Sequence, residues 1–420
     1  MDYNVGDTIL LELVDNTSFT GVVLPGKQLC IKLQDGYNVS FSSEQIRSIT
    51  VKQTSPEKKP VYQEVYKNAS LPKVHILHTG GTIASKVDYA TGGVSNHIES
   101  EELLRLYPEL QDIAHVEATF IANMSSDDMR FGHYNLLISH IASLISKNPS
   151  GIIITHGTDT LHYTAAALHY ALRNLPFPVI LVGSQRSSDR GSSDAATNLR
   201  AAVRFCVSPQ KSSGVFICMH NTSDDTTIGV FSGVHVRKMH TSCRDAFMSV
   251  NAPVHAVISG DQLTYLTEPK KAADKFTHFL YNEQIRIGMV YAHPHMSADE
   301  FRVYENFDGL IILGTGLGHI PISSFDSYTQ EHEDIFSVVS LLAQKIPVVM
   351  SSQCIFGRLH LQVYSAGRRL QEIGVRGHGM SLSPEALFCK LAFVISNPQF
   401  SLDDDLGDVL SRLERGATHD

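Results

Sequence analysis

Two short segments carry side chains suited to nucleophilic catalysis. In Thr79-Gly80-Gly81-Thr82-Ile83-Ala84-Ser85, paired glycines let the backbone turn sharply and leave amide hydrogens free beside a hydroxyl. In Thr155-His156-Gly157-Thr158-Asp159-Thr160, a hydroxyl and a carboxylate stand next to each other where a helical pattern begins. Taken singly, each has a plain structural explanation: a glycine-rich turn capped by threonine, and an Asp or Thr N-cap. Weaker signals point elsewhere. Gly314-Thr315-Gly316-Leu317-Gly318 follows a strand pattern but lacks the full G-x-G-x-x-G spacing of a dinucleotide turn. His293 and His295 form an H-P-H pair without an E-x-x-H partner, so surface or core histidines are expected there rather than a metal site. No lysine-bearing phosphate loop is present, and no metal or cofactor is expected on this chain.

The elements that must position these segments fall into three blocks. From Val5 to Thr50 short alternating runs are broken by Asp15-Asn16 and Asp35-Gly36, which predicts about five strands of a small SH3-like or Sm-like barrel over residues 1–51. Residues 1–60 hold seven acids against six bases with no aromatic and basic interleaving, so a docking or interface module is favoured over an RNA-binding one. Residues 52–73 are polar and carry three prolines, the composition of a linker. After Pro72, apolar runs at Val74–His78, Val116–Ala122, Gly151–Thr155, Pro178–Gly183 and Gly214–His220 alternate with helical patterns at Tyr134–Ser146, Thr160–Arg173 and Asp194–Cys206. Strands apolar throughout and separated by helices predict a three-layer α/β domain with a parallel sheet, over residues 74–270. The pattern turns irregular and polar over residues 250–285. A smaller α/β set, over residues 285–420, follows with strands at Arg286–Tyr291, Gly309–Leu313 and Val348–Ser351 and a helix at Pro384–Ile395.

Composition excludes several classes. With 43% hydrophobic and 18% charged residues the chain is neither disordered nor fibrous. A balance of 34 Lys plus Arg against 43 Asp plus Glu, formally −9, would repel a phosphate backbone rather than recruit it. The six cysteines are scattered without a C-x-x-C pair, which predicts reduced, mostly buried thiols and a cytoplasmic setting. No run approaches the roughly 18 apolar residues of a membrane span, and the N-terminus lacks the basic and apolar stretches of a signal peptide.

Together the two hydroxyl-bearing segments resemble the paired signatures of the bacterial-type L-asparaginase and glutaminase family. The likeness extends through Asn123-Met124-Ser125-Ser126-Asp127-Asp128-Met129, Val182-Gly183-Ser184-Gln185-Arg186, Val236-Arg237-Lys238-Met239-His240-Thr241-Ser242 and Leu382-Ser383-Pro384-Glu385-Ala386, roughly residues 73–398. The small N-terminal barrel, the stretch Gln185–Ala196 and Arg237–Phe247 resemble the branch that supplies ammonia to archaeal-type tRNA-dependent amidotransferases. That resemblance implies a glutaminase whose partner, the E-type subunit of such enzymes, uses ATP and Mg to amidate glutamate mischarged on the glutamine tRNA. The tRNA would be held through the complex, and a homodimer core is implied as well. A free-standing cytosolic asparaginase is the alternative within the same chemistry, and an inactive scaffold the alternative outside it. By position, Thr82 matches the primary nucleophile, Thr158 the second catalytic threonine, Lys238 the group that activates it, and Asp159 the carboxylate that orients the lysine and holds the substrate ammonium. Gly81, Ser126, Asp127, Gly157 and Tyr89 match substrate-contacting positions, with backbone hydrogens of Gly81, Thr82 and Thr158 as oxyanion donors. The chain departs from the secreted asparaginases in three ways. Asp127 stands where they carry a substrate-binding glutamine, His319 falls near the asparagine they place between protomers, and Tyr89 has a different spacing from Thr82.

Overall fold

The computed structural model describes residues 3–4, 6–24, 28–33, 38–54, 70–81, 83, 86–87, 94–95, 106–186, 193–210, 212–224, 226–271 and 275–404. The N-terminal alternation forms β1 (Thr8–Leu13), β2 (Ser18–Leu24), β3 (Leu29–Leu33), β4 (Asn38–Phe41) and β5 (Ile46–Gln53). They pair antiparallel in the order β4-β3-β2-β1-β5. Ile9, Leu11 and Leu13 turn inward from alternate positions of β1 onto Val23, Ile31 and Phe41, a small core of this sheet's own. Between β1 and β2, Asn16 takes the left-handed conformation with φ 66°, and the Asp15 carboxylate accepts from the Thr17 amide at 2.9 Å, as the turn residues predict.

The next block contains β6 (Lys73–His78), a ribbon of β7 (Lys86–Val87) with β8 (Val94–Ser95), then β9 (His115–Phe120), β10 (Gly151–Thr155), β11 (Leu172–Arg173), β12 (Pro178–Val182) and β13 (Gly214–His220). It continues with β14 (Ile228–Ser232), β15 (Val236–Lys238), β16 (Phe247–Ser249), β17 (Ala256–Ser259), β18 (Gln262–Tyr265) and β19 (Thr277–His278). Eight of these make one sheet in the order β18-β17-β14-β13-β12-β10-β6-β9. Its helices are α1 (Phe131–Leu144), α2 (Leu161–Ala171) and α3 (Ala195–Val207). Alternate strand residues feed opposite layers. Leu77, Ile152, Ile154, Val179 and Leu181 face α1 and α2, whereas Val74, Ile76, Ile153, Ile180 and Val182 face α3.

The expectation of a parallel sheet is corrected. Strands β9, β6, β10, β12 and β13 run parallel, but β14, β17 and β18 are antiparallel additions. A short connection such as the Gly260-Asp261 turn between β17 and β18 cannot carry the crossover that parallel pairing needs. These last strands also fall inside the stretch that reads as irregular, because β17 and β18 have only half-buried alternation and short length.

The C-terminal block holds β20 (Ile287–Tyr291), β21 (Gly309–Gly314) and β22 (Val348–Ser352) as a parallel three-stranded sheet. Around it lie α4 (Asp299–Arg302), α5 (His332–Lys345), α6 (Ser365–Glu372) and α7 (Pro384–Ser396). Helix α7 joins the two blocks. Its Ala386, Leu387, Leu391 and Phe393 share one core with Ile311 and Val349 of the small sheet and with Leu161, Ala165 and Leu168 of α2. Among the described residues no helix is long and apolar enough to cross a membrane. All six cysteines are free; Cys206, Cys218 and Cys389 are buried, while Cys354 is exposed.

Candidate active site

Strands β9 and β10 flank β6 and are parallel to it, so their C-terminal tips meet where the chain order reverses, the usual ligand crevice of such sheets. Backbone contacts hold the exit loops together. The Thr79 amide donates to Thr155 O at 3.1 Å, and the Met124 amide to Thr79 O at 3.2 Å. The glycines of the first segment are required at this crossing. Gly80 and Gly81 have φ of 108° and 86°, and a Cβ on Gly81 would sit 2.4 Å from the Gly157 nitrogen. Gly157 in turn faces Ser126, and Gly183 at the tip of β12 leaves room for the Thr158 methyl, 2.7 Å from an added Cβ. The two signature segments therefore touch backbone to backbone.

The β15–β16 ribbon carries Lys238 to this crossing. Lys238 pairs with Phe247, and Val236 and Phe247 are buried in the core beside α2. The Lys238 amine lies 2.9 Å from the Thr158 hydroxyl and 2.8 Å from the Asp159 carboxylate. Its side chain is 9% exposed while that of Asp159 is 71% exposed, so the amine is withdrawn from water and the carboxylate sits at the mouth. Thr158, Asp159 and Lys238 are thus brought together although residues 159 and 238 are 79 apart.

The remaining expected residues lie around this group. Ser126 is buried, its hydroxyl accepting from the Thr160 amide at 3.3 Å while its carbonyl accepts from the Thr160 hydroxyl. Asp127 is exposed on the short 3-10 turn Ser126–Asp128. Thr82 and Tyr89 lie outside the described residues, although Thr82 directly follows Gly81. His319 stacks edge-on against Tyr364 at 5.1 Å. Exposed His293 lies within hydrogen-bond distance of the Glu300 carboxylate, at 3.0 Å, and among the described residues no cluster of His, Cys, Asp or Glu could hold a metal.

The histidine of the second segment is structural. His156 is wholly buried; its Nδ1 donates to Gly157 O at 2.7 Å and its Nε2 accepts from the Thr164 hydroxyl at 2.9 Å, the only neutral tautomer both partners permit. Burial pulls its pKa down to about 4, against a smaller opposing effect of that carbonyl. His162, on the first turn of α2, is likewise lowered to about 4 by burial, with Glu385 pulling the other way.

Two supports escape sequence reading. The fully buried Asp194 carboxylate accepts from the amides of Gln185 (3.0 Å) and Arg186 (3.1 Å) and from the Asn198 side chain at 3.2 Å. Asn198 also donates to Gly183 O at 3.1 Å, fixing the glycine behind Thr158. Asp194 does have a local signal, since it stands at the start of a helical pattern. The second support, Arg237 with Glu385 at 2.9 Å, joins residues far apart in the chain and has none.

Comparison with known proteins agrees with this architecture. The model of the family domain Asparaginase, N-terminal, matches residues 73–271, and that of the Glutaminase/Asparaginase C-terminal domain matches residues 286–403. A solved structure, the thermostable L-asparaginase from Thermococcus kodakarensis, superposes with a TM-score of 0.68 at 29% identity, covering 77% of this chain and 93% of its own. Two curated relatives are each named as the D-type subunit of glutamyl-tRNA(Gln) amidotransferase. That of Pyrococcus abyssi is 37% identical over 94% of this chain and 91% of its own length, and that of Methanococcus maripaludis 37% identical over 96% of both. The chain belongs to the glutaminase/asparaginase family, and within it to the group of D-type subunits of glutamyl-tRNA(Gln) amidotransferase. The five-stranded N-terminal sheet lies ahead of both family-domain matches.

Proposed function

We propose that the chain is the glutaminase subunit of a tRNA-dependent amidotransferase. It hydrolyses L-glutamine to glutamate and ammonia. A partner, the E-type subunit of that enzyme, uses the ammonia with ATP and Mg to convert glutamyl-tRNA(Gln) to glutaminyl-tRNA(Gln). The observation that carries the reading is the Lys238 amine 2.9 Å from the Thr158 hydroxyl, beside the glycine turn that leads into Thr82, in a chain of this family.

The Thr82 oxygen attacks the side-chain amide carbon, and the carbonyl becomes an oxyanion facing backbone hydrogens of Gly81, Thr82 and Thr158. The Thr82 proton passes to the Thr158 oxygen as Thr158 gives its own proton to the Lys238 amine, and Asp159 accepts a hydrogen bond from that amine and holds its direction. Collapse breaks the C–N bond as the proton held on Lys238 returns through Thr158 to the departing nitrogen, which leaves as ammonia. Water then cleaves the threonine ester by the same groups, releasing glutamate. Asp159, exposed at the mouth, also meets the substrate ammonium. Gly81, Ser126, Gly157 and Tyr89 shape the remaining contacts, and Asp127 stands at their rim. No step calls for a cofactor on this chain. We place the protein in the cytoplasm, as a homodimer within the larger complex, the tRNA reaching it only through the partner.

The test is hydrolysis of L-glutamine and L-asparagine by the full chain, alone and with the partner and glutamyl-tRNA(Gln). Glutamine turnover that rises when partner and charged tRNA are added supports the reading. Brisk asparagine hydrolysis that is indifferent to both makes the chain a free-standing asparaginase instead.

A further inference from the structure

Lys238 and Arg237 are consecutive in β15, so their side chains leave the strand on opposite sides. Lys238 reaches Thr158, and Arg237 reaches Glu385 on the first turn of α7, 2.9 Å away. The Glu385 side chain is 9% exposed and Arg237 27%. One Glu385 oxygen takes the arginine; the other is buried without a hydrogen-bond partner among the described residues. Burying a carboxylate is costly, and a salt bridge placed this way contributes little net stability, so a conformational role is the better explanation for it.

Helix α7 holds the other half of the pair as well. Its Cys389 thiol donates to Tyr163 O at 3.3 Å, its Phe388 ring meets Tyr163 edge-on at 5.9 Å, and its Phe393 stacks on Tyr170 at 6.3 Å. Tyr163 and Tyr170 belong to α2, which begins two residues after Asp159. His162, between them and the ribbon, lies 6.4 Å from Phe247, the strand partner of Lys238. One C-terminal helix therefore grips the element that presents Thr158 and, through one ion pair, the strand that presents Lys238.

Resting on the proposed role of Lys238 and Thr158, we infer that Glu385 is a positioning residue. Through Arg237 it sets the approach of the Lys238 amine to the Thr158 hydroxyl, so that the C-terminal domain tunes turnover without touching substrate.

The test is a double-mutant cycle on glutamine hydrolysis by the full chain, with the partner and charged tRNA present. The substitutions are Glu385→Gln, Arg237→Met and the pair. Loss of the pin should lower kcat about tenfold in either single variant while KM stays within about twofold, because misplacement of about 1 Å costs up to roughly a hundredfold. The double variant should be no slower than the single ones, because both changes break one link. A kcat per folded molecule equal to the parent's, with only the melting temperature lowered, overturns the inference; so does additive loss in the double variant. If Glu385→Gln does not fold, Arg237→Met, at the more exposed partner, decides alone by the same split between kcat and KM. Lys238→Met and Thr158→Val are measured alongside. Full activity in those would overturn the underlying mechanism, whereas their inactivity with normal Glu385→Gln would overturn the positioning role only.

Discussion

Gly81→Ala probes the contact on which the site is built. Ala at this position meets two penalties. The first is its φ of 86°, a left-handed conformation that costs an alanine about 1–2 kcal/mol. The second is a collision with main chain. The new Cβ would lie 2.4 Å from the Gly157 nitrogen, 2.6 Å from the His156 carbonyl carbon and 2.7 Å from the Gly157 Cα, where ordinary contact begins at 3.4 Å. No side chain can rotate away to relieve it, so the loop bearing Gly81 and the loop bearing Thr158 must separate by about 1 Å, the difference between 3.4 and 2.4 Å. Burial runs on from β6 and β10 into these loops, through Thr79 and His156, so the separation also disturbs the edge of the core. On the proposed mechanism the segment bearing Gly81 would thus be displaced from Thr158 and Lys238, and an error of that size costs on the order of a hundredfold in turnover. The expected result is a folded protein, with a melting temperature lower by several degrees and kcat for glutamine about a hundredfold down. Steady-state ammonia release, normalised to folded protein by near-UV circular dichroism, measures it. Parental kcat in Gly81→Ala would refute the claim that the two signature loops act as one close-packed unit.

Lys238→Met keeps an unbranched chain of similar length but removes the amine that bridges Thr158 and Asp159, and turnover should fall by about 10²–10⁴ with little change in melting temperature; an ammonia-release assay and a thermal melt check both. Acid should weaken the fold through its buried histidines. His78, His156 and His162 have pKa values lowered by burial from 6.5 to about 4, so the unfolded chain binds protons that the native chain refuses between those values. Their contribution is fully present above pH 6.5 and is lost as pH falls towards 4, on the order of 1 kcal/mol each at pH 5.5. Urea denaturation midpoints at pH 7.5 and 5.5 should drop accordingly, and His156→Asn should flatten the slope; a midpoint that does not move over this range would exclude the linkage.

Much of this protein is decided locally. Continuous apolar runs such as Gly151–Thr155 and Pro178–Val182 can only be strands buried on both faces, and the helical spacings between them demand covering helices. The paired glycines at 80 and 81 announce a sharp turn, and both take the positive φ that favours glycine. Strand direction at the sheet's far edge, by contrast, depends on connection length, and the half-exposed β17 and β18 carry too little apolar signal to be read. Nor can a linear pattern tell which way a lysine points. Lys238 approaches Thr158 because Val236 and Phe247 anchor a two-stranded ribbon in a core that α7 completes from the far end of the chain. Periodicity encodes what a segment buries, while the partners it is buried against are set by how all the segments close together, and the Arg237–Glu385 link exists only at that level.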